Sequence, residues 1–568
     1  MSKTDILKLG DDINTDDIIP AKRGTNGALE HLAYYAFEHL LGPGKLPEYD
    51  VIEAGYNFGC GSSREYAPLA IKAAGISKVR ARSFADIFYR NSINIGLPLE
   101  VIGEEVKNPV VEAIARSGGL FAFNQRRRLH QIQIPNSDTE PRPMTMAEKI
   151  LARASGNAYV QPGEVVFAQV DLAMSHDAIA GPVAELFYRH FGDDARVWNP
   201  NQVVLVADHF IQVNDIRPDR RAIQMHQQMV QFAQEQGCRL FDVVSPGEAA
   251  GICHVLLPQQ GLIRPGMAIA GTDSHSCTYG AFGALSIGVG TTDMANIWAT
   301  GEMWMRVPPT LRIDLAGTLP PYLSAKDMML FLLGQIGCRG ATGKVIEFRG
   351  QIVEQLSIDE RMTLANMAVE CGAICGLMAP NEETCQYVRQ RSATDFAEIF
   401  SDADAQGDYQ FDLSHLEPQI ACPPSPDRVV GISQLGNVPI TRAFIGSCTG
   451  GKLFDLAQAA EALSGRRVAS DVDLFVVPAS QEIHQQAQSL GYLDIFKQAG
   501  AQVLKSGCGA CINAGRGVLG QEEVGLYATN RNFRGRSGEP TAHHYLASPR
   551  VVAISAIQGK ISAQLERS

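Results

Sequence analysis

Two polar, proline-bearing breaks constrain the architecture of this chain most: NSDTEPRPM from Asn136 to Met144, and CPPSPDR from Cys422 to Arg428. Each interrupts the hydrophobic patterning, so each reads as a boundary between separately packed stretches. Before the first break, YDVIEAG and KVRA read as short buried strands, FADIFYRNS has helical spacing, and LPLEVI returns as a strand. After it, MTMAEKILARASG predicts a helix stopped by Gly156, and VVLVADHF a buried strand ending in charged and aromatic residues. Beyond the second break, ITRAFIGSC, VDLFVVPAS and AQVLKSGC read as strands, with SQEIHQQAQSLGY as a helix among them. At roughly 150 residues per domain, 568 residues suggest three or four domains. The expected division is a small α/β domain at 1–135, a linker at 136–143, and three α/β domains at 144–310, 311–425 and 426–568.

No run of about 18 apolar residues occurs, and the start MSKTDILKLGDD carries no apolar signal region, so a cytoplasmic location without membrane contact is expected. A formal charge of −12 argues against a nucleic-acid partner. An anionic substrate then needs local arginines to overcome the overall field.

Three of the twelve cysteines stand in glycine-rich settings, GSC(448)TGG and SGC(508)GAC(511)I. Glycines let the backbone approach a bulky inorganic core and let amides donate to sulfur. Three thiolates suit an iron–sulfur cluster with one open iron, a Lewis acid for a substrate hydroxyl. The C-x-x-C pair equally suits half a zinc site or a redox dithiol, and those alternatives stay open on spacing alone. The other nine cysteines lie in apolar or small-residue surroundings and read as packing.

Histidines follow apolar runs beside carboxylates: Asp208 and His209 in ADHF, His254 in GICH, and Asp273, Ser274 and His275 in TDSHS. A carboxylate against an imidazole fixes its tautomer and raises its basicity, as proton transfer requires. Asn366 and Glu370 in LANMAVECG lie four apart, on one face of a predicted helix, flanked by apolar residues. GCGSSRE puts Ser62, Ser63 and Arg64 before the helix-like YAPLAIKAAG, and NRNFRGR supplies Asn530, Arg531 and Arg536. A helix start with a guanidinium beside it can hold a carboxylate. An ordinary N-cap and a surface basic patch are the bland alternatives.

The chain resembles the aconitase superfamily, in its isopropylmalate isomerase and homoaconitase branch. GDDINTDDIIP, NFGCGSSRE and SFADIFYRNSINIGLP match the small, swivelling subunit; MTMAEKILA, DLAMSHD, DSHSCTYGAFGALSIGVGTTDMA, the GSC and CGAC cysteines and TNRNFRGR match the large one. The resemblance implies a small swivelling α/β domain fused ahead of a three-domain α/β core, the order opposite to that of mitochondrial-type aconitase. It also implies a monomer as a sufficient assembly.

By the same resemblance, Cys448, Cys508 and Cys511 would hold a [4Fe-4S] cluster. Ser62 would abstract the carbon-bound proton, and His209, supported by Asp208, would protonate the departing hydroxyl. Asp273 would pair with His254, and Glu370 with His275. Ser63, Arg64, Arg531 and Arg536 would bind carboxylates of a hydroxy di- or tricarboxylate, with His176 replacing the glutamine of aconitase itself; Ser274, Asn366 and Asn530 join the expected substrate shell.

Two departures stand out. The usual GSCTN reads GSCTG, with Gly450, and the loop after DDIIP reads AKRGTNGALEHL. Arg23 in that loop could meet a third carboxylate, or simply face solvent. The implied reaction is the isomerisation of 2-isopropylmalate to 3-isopropylmalate. Homoaconitate, citrate, dimethylmalate or citramalate chemistry is the alternative, and an RNA-binding regulator in the apo form a rival of another class.

Overall fold

Mainly parallel sheets follow one another along the chain, each fed by short strands and covered by helices. The computed structural model describes residues 5–20, 23, 28–61, 65–103, 108–132, 139–211, 218–402, 407–513 and 515–564. Ser62, Ser63 and Arg64, and part of the expected linker at 136–143, lie outside the described residues.

The first sheet holds Ile6–Lys8, Val51–Ala54, Lys78–Ala81 and Leu99–Val101, parallel and in chain order. Helices Tyr66–Ala73 and Asp86–Ile95 make the crossovers. The next large sheet runs Leu285–Gly288, Ala268–Gly271, Leu172–His176, Val203–Val206 and Arg239–Phe241, all parallel. Every residue of Val203–Val206 is buried, as expected for a strand covered on both faces. A third parallel sheet joins Cys375–Leu377, Val345–Arg349, Thr310–Ala316 and Tyr409–Asp412. The last has seven strands, mixed in direction, with Arg442–Ile445 near its centre. The architecture is therefore a small α/β unit followed by larger α/β units.

Local signals explain the element ends. Thr145 and Glu148 form a reciprocal capping box on the helix Met146–Ser155, and Gly156 closes it at a φ of +72°. Two expectations change. The segment Cys422–Arg428 is a hairpin loop, not a divider: Gln419–Ala421 and Val429–Gly431 pair antiparallel across it, and Cys422 N donates to Arg428 O at 2.8 Å. Prolines and turn residues there reverse the chain within one sheet, and the boundary placed at 425/426 falls inside it. The helix expected to carry both Asn366 and Glu370 ends at Met367, and Glu370 sits in a 3₁₀ turn, Ala368–Cys371. The tighter winding turns Glu370 away from the line of Asn366.

The small unit docks on the rest through buried polar contacts. Arg90 binds both oxygens of Asp293, at 2.6 and 2.8 Å, donates to Trp304 O at 2.5 Å, and lies over the Trp304 ring. Glu65 accepts from Thr292 N at 3.0 Å and from Thr292 Oγ1 at 2.6 Å. Among the described residues no helix is long and apolar enough to cross a membrane.

Candidate active site

Three neighbouring parallel strands end at one place. His176 closes Leu172–His176, Asp208 and His209 follow Val203–Val206, and Asp273, Ser274 and His275 follow Ala268–Gly271. Their carboxyl ends lie side by side, where open α/β sheets collect ligands. Asp177, absent from the sequence expectations, organises the loop: its carboxylate accepts from the backbone of Asp208, His209 and Phe210 at 3.2, 2.9 and 2.8 Å.

A hydrogen-bonded chain crosses the site. His209 Nδ1 meets Asp208 Oδ1 at 2.5 Å, and His209 Nε2 faces Asp273 Oδ2 at 3.4 Å. Asp273 Oδ1 takes His254 Nε2 at 3.0 Å and the backbone N–H of His275 at 2.7 Å. His275 Nε2 lies 2.9 Å from Glu370 Oε1, and Arg531 Nε donates to both Glu370 oxygens at 2.7 and 2.9 Å. The expected pairs Asp273 with His254 and Glu370 with His275 are thus in contact.

Burial alone would lower His209, but the charges and hydrogen bonds of Asp208 and Asp273 outweigh it and raise its pKa well above the usual histidine value. Burial would likewise raise Asp273, yet His254, His209 and His275 hold it well below the carboxylate range. His176 behaves oppositely: burial and then the His209 charge push it down to about 3. Its neutral ring stacks on His209 at 3.8 Å between centroids.

The three cysteines lie beside this chain. Cys508 N donates to Asp208 O at 3.4 Å. All twelve cysteines are free, and Cys448, Cys508 and Cys511 are buried. Ser447, directly before Cys448, takes a left-handed φ of +72°, a strained setting for a residue other than glycine. Burial, then the neighbouring Cys511, pushes the Cys448 thiol up to about 12. Asn366 Nδ2 donates to Cys448 Sγ at 3.1 Å and Asn530 Nδ2 does so at 3.5 Å; the Cys511 thiol faces Asn530 Oδ1 at 3.6 Å. Asn366 and Asn530, expected at the substrate, therefore spend their amides on sulfur and on each other.

Among the described residues, side chains whose ligand atoms gather within 4.8 Å are His176, Asp177, Asp208 and His209, and separately His254, Asp273 and His275. The donor set, buried thiols with amides aimed at sulfur, fits a metal–sulfur core.

A cavity of about 370 Å³ opens between the small unit and this site, lined by Asn57, Cys60 and Gly61 on one side and Ser274, Glu370 and Arg531 on the other. Arg536 lines a different cavity, of about 480 Å³, with His544. Arg23 gives both its Nε and Nη2 to Glu38, at 3.1 and 3.2 Å, and lies over Tyr35. A further cavity, of about 1030 Å³, is flanked by Phe121, His190 and Arg189, away from the histidine–carboxylate chain.

Sequence reasoning passed over Asp177, Glu65, Lys326 and Lys452. The signal for Asp177 was present, since it follows a buried strand as Asp208 does. Both lysines sit at apolar helix starts; Lys452 has a local partner in Asp455, three residues on, whereas nothing local announces the partners of Lys326.

Residues 148–439 and 433–559 match the aconitase family (aconitate hydratase), and residues 46–103 match the aconitase C-terminal domain, here ahead of the rest. The chain is 47% identical over 425 residues to a probable methanogen homoaconitase large subunit of Methanothermobacter thermautotrophicus, covering 74% of this chain and 97% of that one. It is 44% identical over 421 residues to a probable 3-isopropylmalate dehydratase large subunit of the same organism, covering 74% and 98%. A solved 3-isopropylmalate dehydratase of Methanocaldococcus jannaschii is 36% identical over 22% of this chain and 94% of its own, with a TM-score of 0.21.

Proposed function

Because the chain belongs to the aconitase family and is a hydro-lyase, we propose that it converts 2-isopropylmalate to 3-isopropylmalate, a step of leucine biosynthesis, by dehydration and rehydration. Cys448, Cys508 and Cys511 would hold a [4Fe-4S] cluster. When bound, that group supplies a Lewis-acidic iron that polarises the substrate hydroxyl.

The observation that carries this reading is the 2.5 Å contact of His209 Nδ1 with Asp208 Oδ1, on a loop whose Asp208 carbonyl also receives Cys508 N. With its pKa raised, His209 carries a proton at neutral pH and can hand it to a leaving hydroxyl. Asp208 holds Nδ1, so that Nε2 is the atom that releases the proton. Ser62 follows Gly61, which lines the cleft, and as its alkoxide takes the proton from the adjacent carbon, becoming the neutral hydroxyl. Loss of that proton and of the hydroxyl, which leaves as water, gives an unsaturated dicarboxylate. Re-addition of water with the opposite regiochemistry completes the isomerisation. Arg531, held at its Nε by Glu370, keeps its remaining donors for a substrate carboxylate.

The 47% identity to a homoaconitase large subunit supports a second reading, a substrate with a third carboxylate. Against it, Arg23 has both its forked donors on Glu38. An anaerobic panel of 2-isopropylmalate, homocitrate, citrate and methyl-substituted malates decides between them. Isopropylmalate should turn over with the highest kcat/KM, and a preference for homocitrate would overturn the assignment. Ser62→Ala should abolish turnover while substrate still binds.

A further inference from the structure

Two lysines are buried behind the cysteines, Lys326 at 1% exposure and Lys452 at 0%. Lys452 is compensated: its Nζ lies 2.8 Å from Asp455 Oδ2, and it also donates to Thr363 Oγ1 and Cys448 O at 2.9 and 3.3 Å. Lys326 is not. Its Nζ donates to Thr529 O and to Met367 Sδ at 3.2 Å, and among the described residues no carboxylate lies within 4.0 Å of it.

The position of those two partners matters. Thr529 precedes Asn530 and Met367 follows Asn366, the two asparagines that donate to Cys448 Sγ. Lys326 therefore grips the chain one residue away from each sulfur-binding amide. Burial and then the Lys452 charge push Lys326 down to about 8, while the Asp455 carboxylate, beyond contact distance, and the Cys448 and Cys511 side chains act in the opposite sense. The same positive region keeps His544 neutral: burial, then Arg536 and Lys326, push it down to about 3. An isolated buried ammonium is costly unless an anion meets it. Three thiolates on an iron–sulfur core carry net negative charge, which grows on reduction.

We propose that Lys326 is the buried counter-cation of the Cys448, Cys508 and Cys511 pocket, a positioning residue that favours the reduced, iron-retaining state of the group held there. This rests on the cluster reading of those cysteines. A nearby cation stabilises the more negative redox state, so its removal makes one-electron reduction by dithionite harder. It has the opposite effect on the empty protein, where no carboxylate among the described residues pairs directly with the ammonium and an apolar side chain of similar length is preferred.

The two signs give the test. In Lys326→Met, loaded anaerobically with iron and sulfide, the midpoint potential followed by electron paramagnetic resonance should shift negative, and a chelator should strip iron faster than from wild type. The same variant without iron should melt above apo wild type, and Lys326→Arg should keep the wild-type midpoint. An unchanged midpoint and unchanged iron release in a loaded Lys326→Met protein would overturn the inference alone. So would an apo variant that melts lower than wild type or fails to fold, since that marks Lys326 as a packing residue. Wild-type protein that takes up no iron and sulfide would remove the cluster reading, and this inference with it.

Discussion

Arg90 and Asp293, 203 positions apart, form a two-pronged ion pair at 2.6 and 2.8 Å, buried between the small unit and the rest of the chain. Removing one partner of such a pair leaves the other charge buried and unpaired, at a cost of about 3–5 kcal/mol. Arg90→Met should therefore lower the thermal midpoint and expose the 1–135 region to limited proteolysis. Charge removal from both sides, in Arg90→Met with Asp293→Leu, should recover much of the loss.

Glu65 makes the same interface sensitive to pH. Burial is the main cause of its pKa being pushed up to about 7 from 4.5, with Asp293 adding to it and the Thr292 hydrogen bonds opposing. Because the folded value lies above the unfolded one, the native state holds the extra proton. Stability is then full below about pH 4.5, falls as pH rises towards about 7, and is flat above, a change of about 3 kcal/mol. Urea unfolding of wild type and Glu65→Gln should give similar stabilities near pH 4.5, with the variant more stable at pH 8.

Gly450 has a steric reason. A Cβ there would lie 2.5 Å from Ala528 Cβ and 2.6 Å from Ala528 O. Gly450→Asn, which would give the more usual GSCTN, forces the Cys448 turn against that backbone. Overpacking of this kind costs about 1–3 kcal/mol. The variant should melt earlier and bind less iron per chain than wild type under anaerobic reconstitution.

Most of what local patterning predicts is present. The strands Val51–Ala54, Lys78–Ala81, Val203–Val206 and Arg442–Ile445, and the helix closed by Gly156, follow from apolar period, β-branched runs and capping chemistry. What patterning does not carry is the meeting of distant segments. Asn530 reaches Asn366 across 164 positions and Arg531 reaches Glu370 across 161. Lys326, in the first turn of an apolar helix, gives no local sign that its ammonium lies under the cysteines. The histidine–carboxylate pairs were legible because family motifs carry long-range pairing that periodicity cannot. The hairpin at Cys422–Arg428 was misread because prolines mark a turn within a sheet as readily as a boundary.

The central claim is that His209, oriented by Asp208, donates a proton during dehydration of a hydroxy dicarboxylate. Its most direct test is the ultraviolet absorbance of the unsaturated acid formed from 2-isopropylmalate by anaerobically loaded protein, in wild type and in His209→Asn. Wild type should build up the absorbance to an equilibrium level, and the variant should do so about 10²–10⁴-fold more slowly at unchanged iron content. Equal rates in the two proteins, or no absorbance from loaded wild type with any member of the panel, would contradict the account.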